Sequence, residues 1–277
     1  MLGSCTEQVN IDLDSSYTRL VVDGQITTDT TRHYVRLSKT MDYFSNRPAD
    51  PVTGGRVMIN NHLLTESDTA PGLYLTDPGF YGETGETYTL SIQGIDIDSD
   101  GSEEIYEATS RINSIARADS IEVVYQEYAG GAVQLWGIQL YAKDPVERNY
   151  YLFKVLKNDT LVTDTIDEYV IQDDRMFNGN YVPGVMVQSL IKAKKDEIIR
   201  PGDVITLEAN GITQDYYKYI IELTNEVGPS NPLFSGPRAN VRTNIEGGNG
   251  AAGFFRAYSI NRISVVVEDP YEKILKW

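Results

Sequence analysis

The chain has 277 residues, 24 basic against 40 acidic side chains, and a formal net charge of −16. That balance excludes a phosphate-backbone partner, because binding nucleic acid needs a basic footprint, and it disfavours adsorption onto anionic lipid. The length fits two domains, and no run of about 18 apolar residues offers a membrane-spanning helix.

The single cysteine sits at position 5, in Leu2-Gly3-Ser4-Cys5. A leucine, two small residues and a cysteine form the pattern of a bacterial lipobox, in which the cysteine is acylated and becomes the mature N-terminus. The charged and apolar segments that precede such a box are missing, so the expectation is a late-assigned start or a trimmed chain. Acyl chains on Cys5 would hold the protein on a membrane surface, each buried methylene adding about 0.8 kcal/mol. The polar stretch Thr6 to Ser16 would serve as a tether.

From Arg19 the pattern is short strands and turns. "RLVVDGQI" is an apolar run with an Asp-Gly turn signal, and "HYVRLSKT", "GGRVMINNHLL", "PGLYLTD", "GETYTLSIQGI" and "EEIYEATSRI" follow at intervals of about ten residues. This spacing predicts a β-sandwich. A boundary falls near Asn113 to Asp119. Beyond it "SIEVVYQEYA", "AVQLWGIQLYAKD", "RNYYLFKVLKN", "VPGVMVQSLIKAK" and "GDVITLEANGI" again read as strands. In "QLWGIQLYAKD" the alternation puts Leu135, Gly137, Gln139 and Tyr141 on one face and Trp136, Ile138 and Leu140 on the other.

One segment changes period. Tyr216, Ile220, Leu223 and Val227 fall at i, i+4, i+7 and i+11, which is helical. Thr213 caps the start, Asp215 suits the first turn, and Gly228-Pro229 stops it. The helix is expected to lie over an open face or mouth of the second β domain. The tail reads as loop, glycine cluster and a final strand.

The order "PVTGGRVMI", "PGLYLTD", "GETYTLSI" resembles the transthyretin-like or carboxypeptidase-regulatory-like sandwich over about 90 residues. Over nearly the whole chain, the lipobox, Asp144-Pro145, Asn149-Tyr150-Tyr151, Gly202-Asp203, the tyrosine-rich helix and Asn244-Ile245 with its glycines resemble a Bacteroidetes lipoprotein family catalogued as a domain of unknown function. Genes of that family often neighbour TonB-dependent outer-membrane receptors. The resemblance implies an outer-membrane location and an accessory role in nutrient uptake or surface display, and supplies no catalytic residue. The mature start carries one early acid, Glu7, which weakens the case for display on the cell exterior and leaves the face of the membrane open.

Several constellations bear on chemistry. In "DIDSDGSEEIYE", Asp96, Asp98, Asp100 and Glu107, with Ser102 and Gly101, match a calcium loop with acids at positions one, three, five and twelve. Against it, strand-like segments flank the loop and Glu103 stands where an apolar residue belongs, so an acidic hairpin is the competing reading. Ca²⁺ is the one cofactor the sequence suggests. "GNGAAG" fits GxGxxG, but no strand–helix unit surrounds it. His33 and His62 stand without cysteines or a GxSxG motif, which argues against zinc and a serine triad. Trp136, Tyr150, Tyr151, Tyr216, Tyr217 and Tyr219 could form an aromatic platform for a sugar or peptide, or simply pack. Thr30, Thr69, Ser120, Thr160 and Thr165 follow aspartates in a pattern resembling the O-glycosylation site of that bacterial group, which is also ordinary turn chemistry.

The expectation is therefore a mostly β protein. It has a tether over residues 1–18, an Ig-like or transthyretin-like sandwich over 19–115, and a larger β-sandwich or barrel-like domain over 116–277 with a helix near 213–227. It would be a non-catalytic, lipid-anchored accessory of a TonB-dependent receptor at the outer membrane. A structural or adhesive surface protein is the alternative, and a hydrolase a more distant one.

Overall fold

The computed structural model describes residues 18–41, 47–227 and 241–276, so Cys5 and the tether lie outside the described residues. The first eight strands are β1 (Leu20–Thr27), β2 (Tyr34–Lys39), β3 (Arg56–Ile59), β4 (His62–Leu63), β5 (Thr65–Glu66), β6 (Leu73–Leu75), β7 (Thr87–Ile95) and β8 (Glu104–Arg111). After a linker come β9 (Arg117–Tyr128), β10 (Val133–Lys143), β11 (Tyr150–Lys157), β12 (Thr160–Leu161), β13 (Val170–Asp173), β14 (Tyr181–Ile191) and β15 (Val204–Ile212). The helix α1 (Gln214–Val227) follows, then β16 (Ile245–Gly247), β17 (Ala251–Val266) and β18 (Ile274–Lys276). The protein is mostly β, with one α-helix among the described residues, as the strand spacing and the lone 3.6-residue period indicate.

Three sheets make the body. A nine-stranded sheet runs β12-β11-β15-β17-β1-β2-β6-β5, with β13 also on β11. A five-stranded sheet, β16-β8-β7-β3-β4, and a four-stranded sheet, β14-β10-β9-β18, complete the set. The long strand β17 joins two halves. Its first part, Ala251 to Tyr258, pairs in parallel with β1, and its second part, Ser259 to Val266, pairs antiparallel with β15. Each half contributes to its own core. Leu20, Val22, Val35, Leu37, Phe255 and Ala257 pack against Val57, Leu90, Ile92 and Tyr106. Tyr151, Phe153, Val155, Leu207 and Ala209 pack against Trp136, Ile138, Leu140 and Leu190. Each such side chain taken from water contributes about 1.5–3 kcal/mol.

The linker at 113–116 separates the two cores in sequence, but the tail crosses back. Ile245, Phe255 and Ala257 belong to the first core, so the first sandwich is completed by residues from the far end of the chain. The turn signal at Asp23-Gly24 is also corrected: both residues lie in the middle of β1. Gly24 is paired with Val35 and Phe255, and a Cβ there would sit 3.1 Å from the Phe255 ring. The glycine makes room for that ring instead of turning the chain.

The helix starts where expected, and its expected stop at Gly228-Pro229 lies outside the described residues. Thr213 Oγ1 accepts the Tyr216 N–H at 3.2 Å, and the Thr213 carbonyl accepts the Tyr217 N–H at 3.0 Å. Tyr216 and Ile220 are buried against Leu152, Ile212, Phe254 and Tyr258, on the face of the long sheet that points away from both sandwiches.

Candidate functional site

The aromatic set divides between two places. Trp136 is fully buried in the second core, with its Nε1–H donated to the Pro270 carbonyl at 2.9 Å. Tyr151 packs in the same core, stacked on Phe153. Neither belongs to a surface platform, because strand alternation turns them inward. Tyr150, Tyr216, Tyr217 and Tyr219 do meet, under and around α1. Tyr216 lies 5.2 Å from Phe254 and 5.8 Å from Tyr219, and burial pushes its hydroxyl up to about 12. These two rings close the helix onto the sheet.

Tyr150, which packs on Tyr217, borders a cleft where the sandwiches meet. Their rings are 5.1 Å apart, and the Arg148 guanidinium lies 5.4 Å from the Tyr150 ring. The cleft holds about 390 Å³ and is lined by Arg111, Asn113, Arg148, Asn149, Tyr150 and Gln214, among others. A second hollow of about 210 Å³ shares Arg111 and reaches Thr213 and Asp215 at the start of α1. The exposed Arg111 makes no ion pair among the described residues. Arg148 leans on Asp173 at 3.9 Å and Glu147 shares the wall, so the cleft offers the Arg111 guanidinium, amide groups and an aromatic edge, with a carboxylate beside them, to a polar ligand. Composition concealed it: Arg111 closes one strand, Arg148 sits in a loop, and only folding brings them together.

Beside the helix, the same sheet face carries a polar network. Arg256 donates to Asp23 at 2.6 Å, to Gln25 at 3.0 Å and to the Tyr34 hydroxyl at 2.9 Å. Burial opposes its charge, but Tyr216, Asp23 and Tyr34 outweigh that and hold it firmly protonated. Arg262 pairs with Glu208 and with Asp29, both at 2.7 Å. Lys154, next to Glu208 in register, lies 5.3 Å from the Tyr169 ring, and burial lowers its pKa. The two arginines are thus internally neutralised, and the network joins β1, β2, β15 and β17.

A pair of buried carboxylates lines a small cavity of about 40 Å³ inside the second sandwich, room for a few waters at most. Asp144 accepts the Tyr151 hydroxyl at 2.7 Å and the Gly179 N–H at 3.3 Å. Burial pushes Asp144 up, against those two hydrogen bonds. Asp174 accepts the Asn149 N–H at 2.6 Å, while the Asn149 side chain donates to the Ser114 carbonyl at 2.8 Å. Asn244 acts similarly: its amide donates to the Thr109 and Phe255 carbonyls and accepts the Phe255 N–H. The Asp144, Asn149-Tyr151 and Asn244 markers are therefore clamps between segments.

The acidic loop is a hairpin between β7 and β8. Asp96 accepts the N–H groups of Ser99 and Gly101, Asp98 that of Asp100, and Asp100 that of Ser102. Ligand oxygens of Asp96, Asp98 and Glu104 lie within 4.8 Å of one another. Glu107, expected at the twelfth position, is instead an exposed residue of β8 opposite Ser91 and Glu246. A strand rises about 3.3 Å per residue, so it carries Glu107 away from the loop that a helix would curl back toward. Asp100 and Ser102 cap the turn and do not join the three-acid group.

"GNGAAG" forms the turn between β16 and β17, strands of two different sheets, and the start of β17, with no helix after it, and a Cβ on Gly253 would lie 2.0 Å from the Val22 carbonyl. His33 is fully buried, and His62 stacks on Phe80 at 4.2 Å. Thr30, Thr69, Ser120, Thr160 and Thr165 are all exposed, and Thr165 heads a 3-10 turn with Glu168 in a capping box. Among the described residues no helix is long and apolar enough to cross a membrane.

The chain belongs to the family described as a domain of unknown function, DUF4249, whose profile matches residues 6–264. No curated protein sequence matches it.

Proposed function

We propose that the protein is a non-catalytic binding or accessory subunit, held at the outer membrane by a lipid on Cys5 and working with a TonB-dependent receptor in nutrient uptake. The observation that carries this reading is the junction cleft of about 390 Å³, with Arg111, Arg148 and Gln214 on its walls and the Tyr150 ring at its edge. Hydrogen-bonding guanidinium and amide groups beside an aromatic ring suit a polar cargo or an extended loop of a partner. The buried carboxylates favour a non-catalytic reading too. Asp144 and Asp174 are engaged by Tyr151, Gly179 and Asn149, and their cavity of about 40 Å³ has no room for a sugar ring. The lipobox at Leu2–Cys5 and the family resemblance supply the membrane and the receptor.

The test is affinity purification of the natively acylated protein from its own membranes, with mass spectrometry of partners and of the N-terminal peptide. The expected result is an acylated Cys5 and a co-purifying TonB-dependent receptor, lost in an Arg111→Glu/Arg148→Glu variant that remains folded. An acylated protein that repeatedly comes down alone would overturn the partnership and leave autonomous capture or adhesion.

A further inference from the structure

The β7–β8 hairpin carries three carboxylates, Asp96, Asp98 and Glu104, with ligand oxygens within 4.8 Å of one another, and none of them has an ion-pair partner among the described residues. Backbone N–H groups of Ser99, Gly101, Asp100 and Ile97 offset part of their charge, and a cation would neutralise the rest. An independent observation comes from beneath them. Tyr106, two residues after Glu104 on the same side of β8, is 1% exposed, and its hydroxyl has no hydrogen-bond partner. A buried, unpartnered hydroxyl costs about 1–3 kcal/mol. The phenol leans toward the segment that reaches the acids, on the side of β8 that Glu104 shares. The turn that leads from β16 into β17 closes the site. A Cβ on Gly248 would lie 2.4 Å from the Tyr106 hydroxyl, and the next residue, Asn249, reaches Asp98 with its side-chain amide.

We propose that Asp96, Asp98 and Glu104 bind a divalent cation, Ca²⁺ by its preference for oxygen ligands, with Asn249 as a further ligand and a metal-bound water on the Tyr106 hydroxyl. Ca²⁺ takes six to eight oxygens and keeps waters among them, and the orphaned phenol then gains its partner. The Asn249 amide turns its oxygen toward the ion when the ion is present. The ion ties the β7–β8 hairpin to the β16–β17 turn, which leads directly into the strand shared by both sandwiches. This site is separate from the junction cleft and stands whether or not the proposed function does.

The test is calorimetric titration of CaCl₂ into the chelator-treated full chain, with Mg²⁺ in parallel. One Ca²⁺ per chain is expected, with a Kd of about 0.1–1 mM, typical of extracellular modules, and a rise in the thermal midpoint. Asp98→Asn and Glu104→Gln should each weaken binding about tenfold or more, since ligand charge sets affinity. Asn249→Ala should weaken it less. Glu107→Gln should leave it unchanged. No Ca²⁺ binding up to about 10 mM would overturn the site. So would binding that survives Asp98→Asn with Glu104→Gln, or binding lost equally in Glu107→Gln.

Discussion

Along β17, Phe255, Ala257, Ile263 and Val265 point into the two sandwiches, while Phe254, Arg256, Tyr258 and Arg262 point to the outer face beneath and beside α1. The same backbone thus serves two kinds of surface. The inner row is held by close packing, where shape and volume matter and chemical identity matters less. The outer row is held by named partners, where each donor has a particular acceptor. A change on the inner face should therefore act through fit, and a change on the outer face through an orphaned group.

The sharpest break of the inner face comes at a residue without a side chain. Gly253 has φ +86, and a Cβ there would lie 2.0 Å from the Val22 carbonyl of the neighbouring strand. Gly253→Ala combines backbone strain with a clash that only movement of β1 relieves, and should cost about 4 kcal/mol. Gly250 has a similar φ, +88, but nothing within 4 Å, so Gly250→Ala should cost only the strain, about 1 kcal/mol. Urea unfolding of both variants separates the two contributions. Equal losses would mean that β1 and β17 are not packed as described.

On the outer face, Arg256→Met should cost about 2 kcal/mol, because it removes a mostly buried guanidinium that serves Asp23, Gln25 and Tyr34 together, though Tyr258 and Tyr34 still donate to Gln25 and Asp23. Asp23→Asn alone should cost less, because Arg256 keeps Gln25 and Tyr34 and the Asn oxygen still accepts its N–H. A double-mutant cycle should give a coupling of about 1 kcal/mol. Additive losses would show that Arg256 acts by packing on Tyr34 and Tyr216, not by pairing.

The inner face was the legible one. Alternation in "QLWGIQLYAKD" placed Trp136, Ile138 and Leu140 together, and they are buried together. The helix and its Thr213 cap followed from spacing and a local hydrogen bond. What escaped was non-local. Nothing near Asp23 in the sequence announces Arg256, 233 residues away, and the Asp-Gly pair suggested a turn because its crowding by Phe255 comes from another strand. The acidic hairpin failed in the same way: the acids were found, but a helical template chose Glu107 where a β-hairpin brings in Glu104. Arg111 and Arg148 of the cleft were invisible because they belong to different segments in a chain whose net charge points the other way.

The mildest test reads the one histidine that lies on the inner side. His33 precedes β2, shares the parity of Val35 and Leu37, and is fully buried, with its N–H donated to Thr76 Oγ1 at 2.9 Å. Burial lowers its pKa below the ordinary value of about 6.5. The unfolded chain therefore takes up a proton before the folded one does. Stability associated with His33 is fully present above about pH 6.5 and is lost as the pH falls below it. Unfolding midpoints in urea at pH 7.5 and 5.5 should differ for the native chain, and His33→Leu should reduce that difference. A difference that persists unchanged would mean the ring is already reached by water in the folded protein, and that the inner face is less sealed at the start of β2 than at Val35.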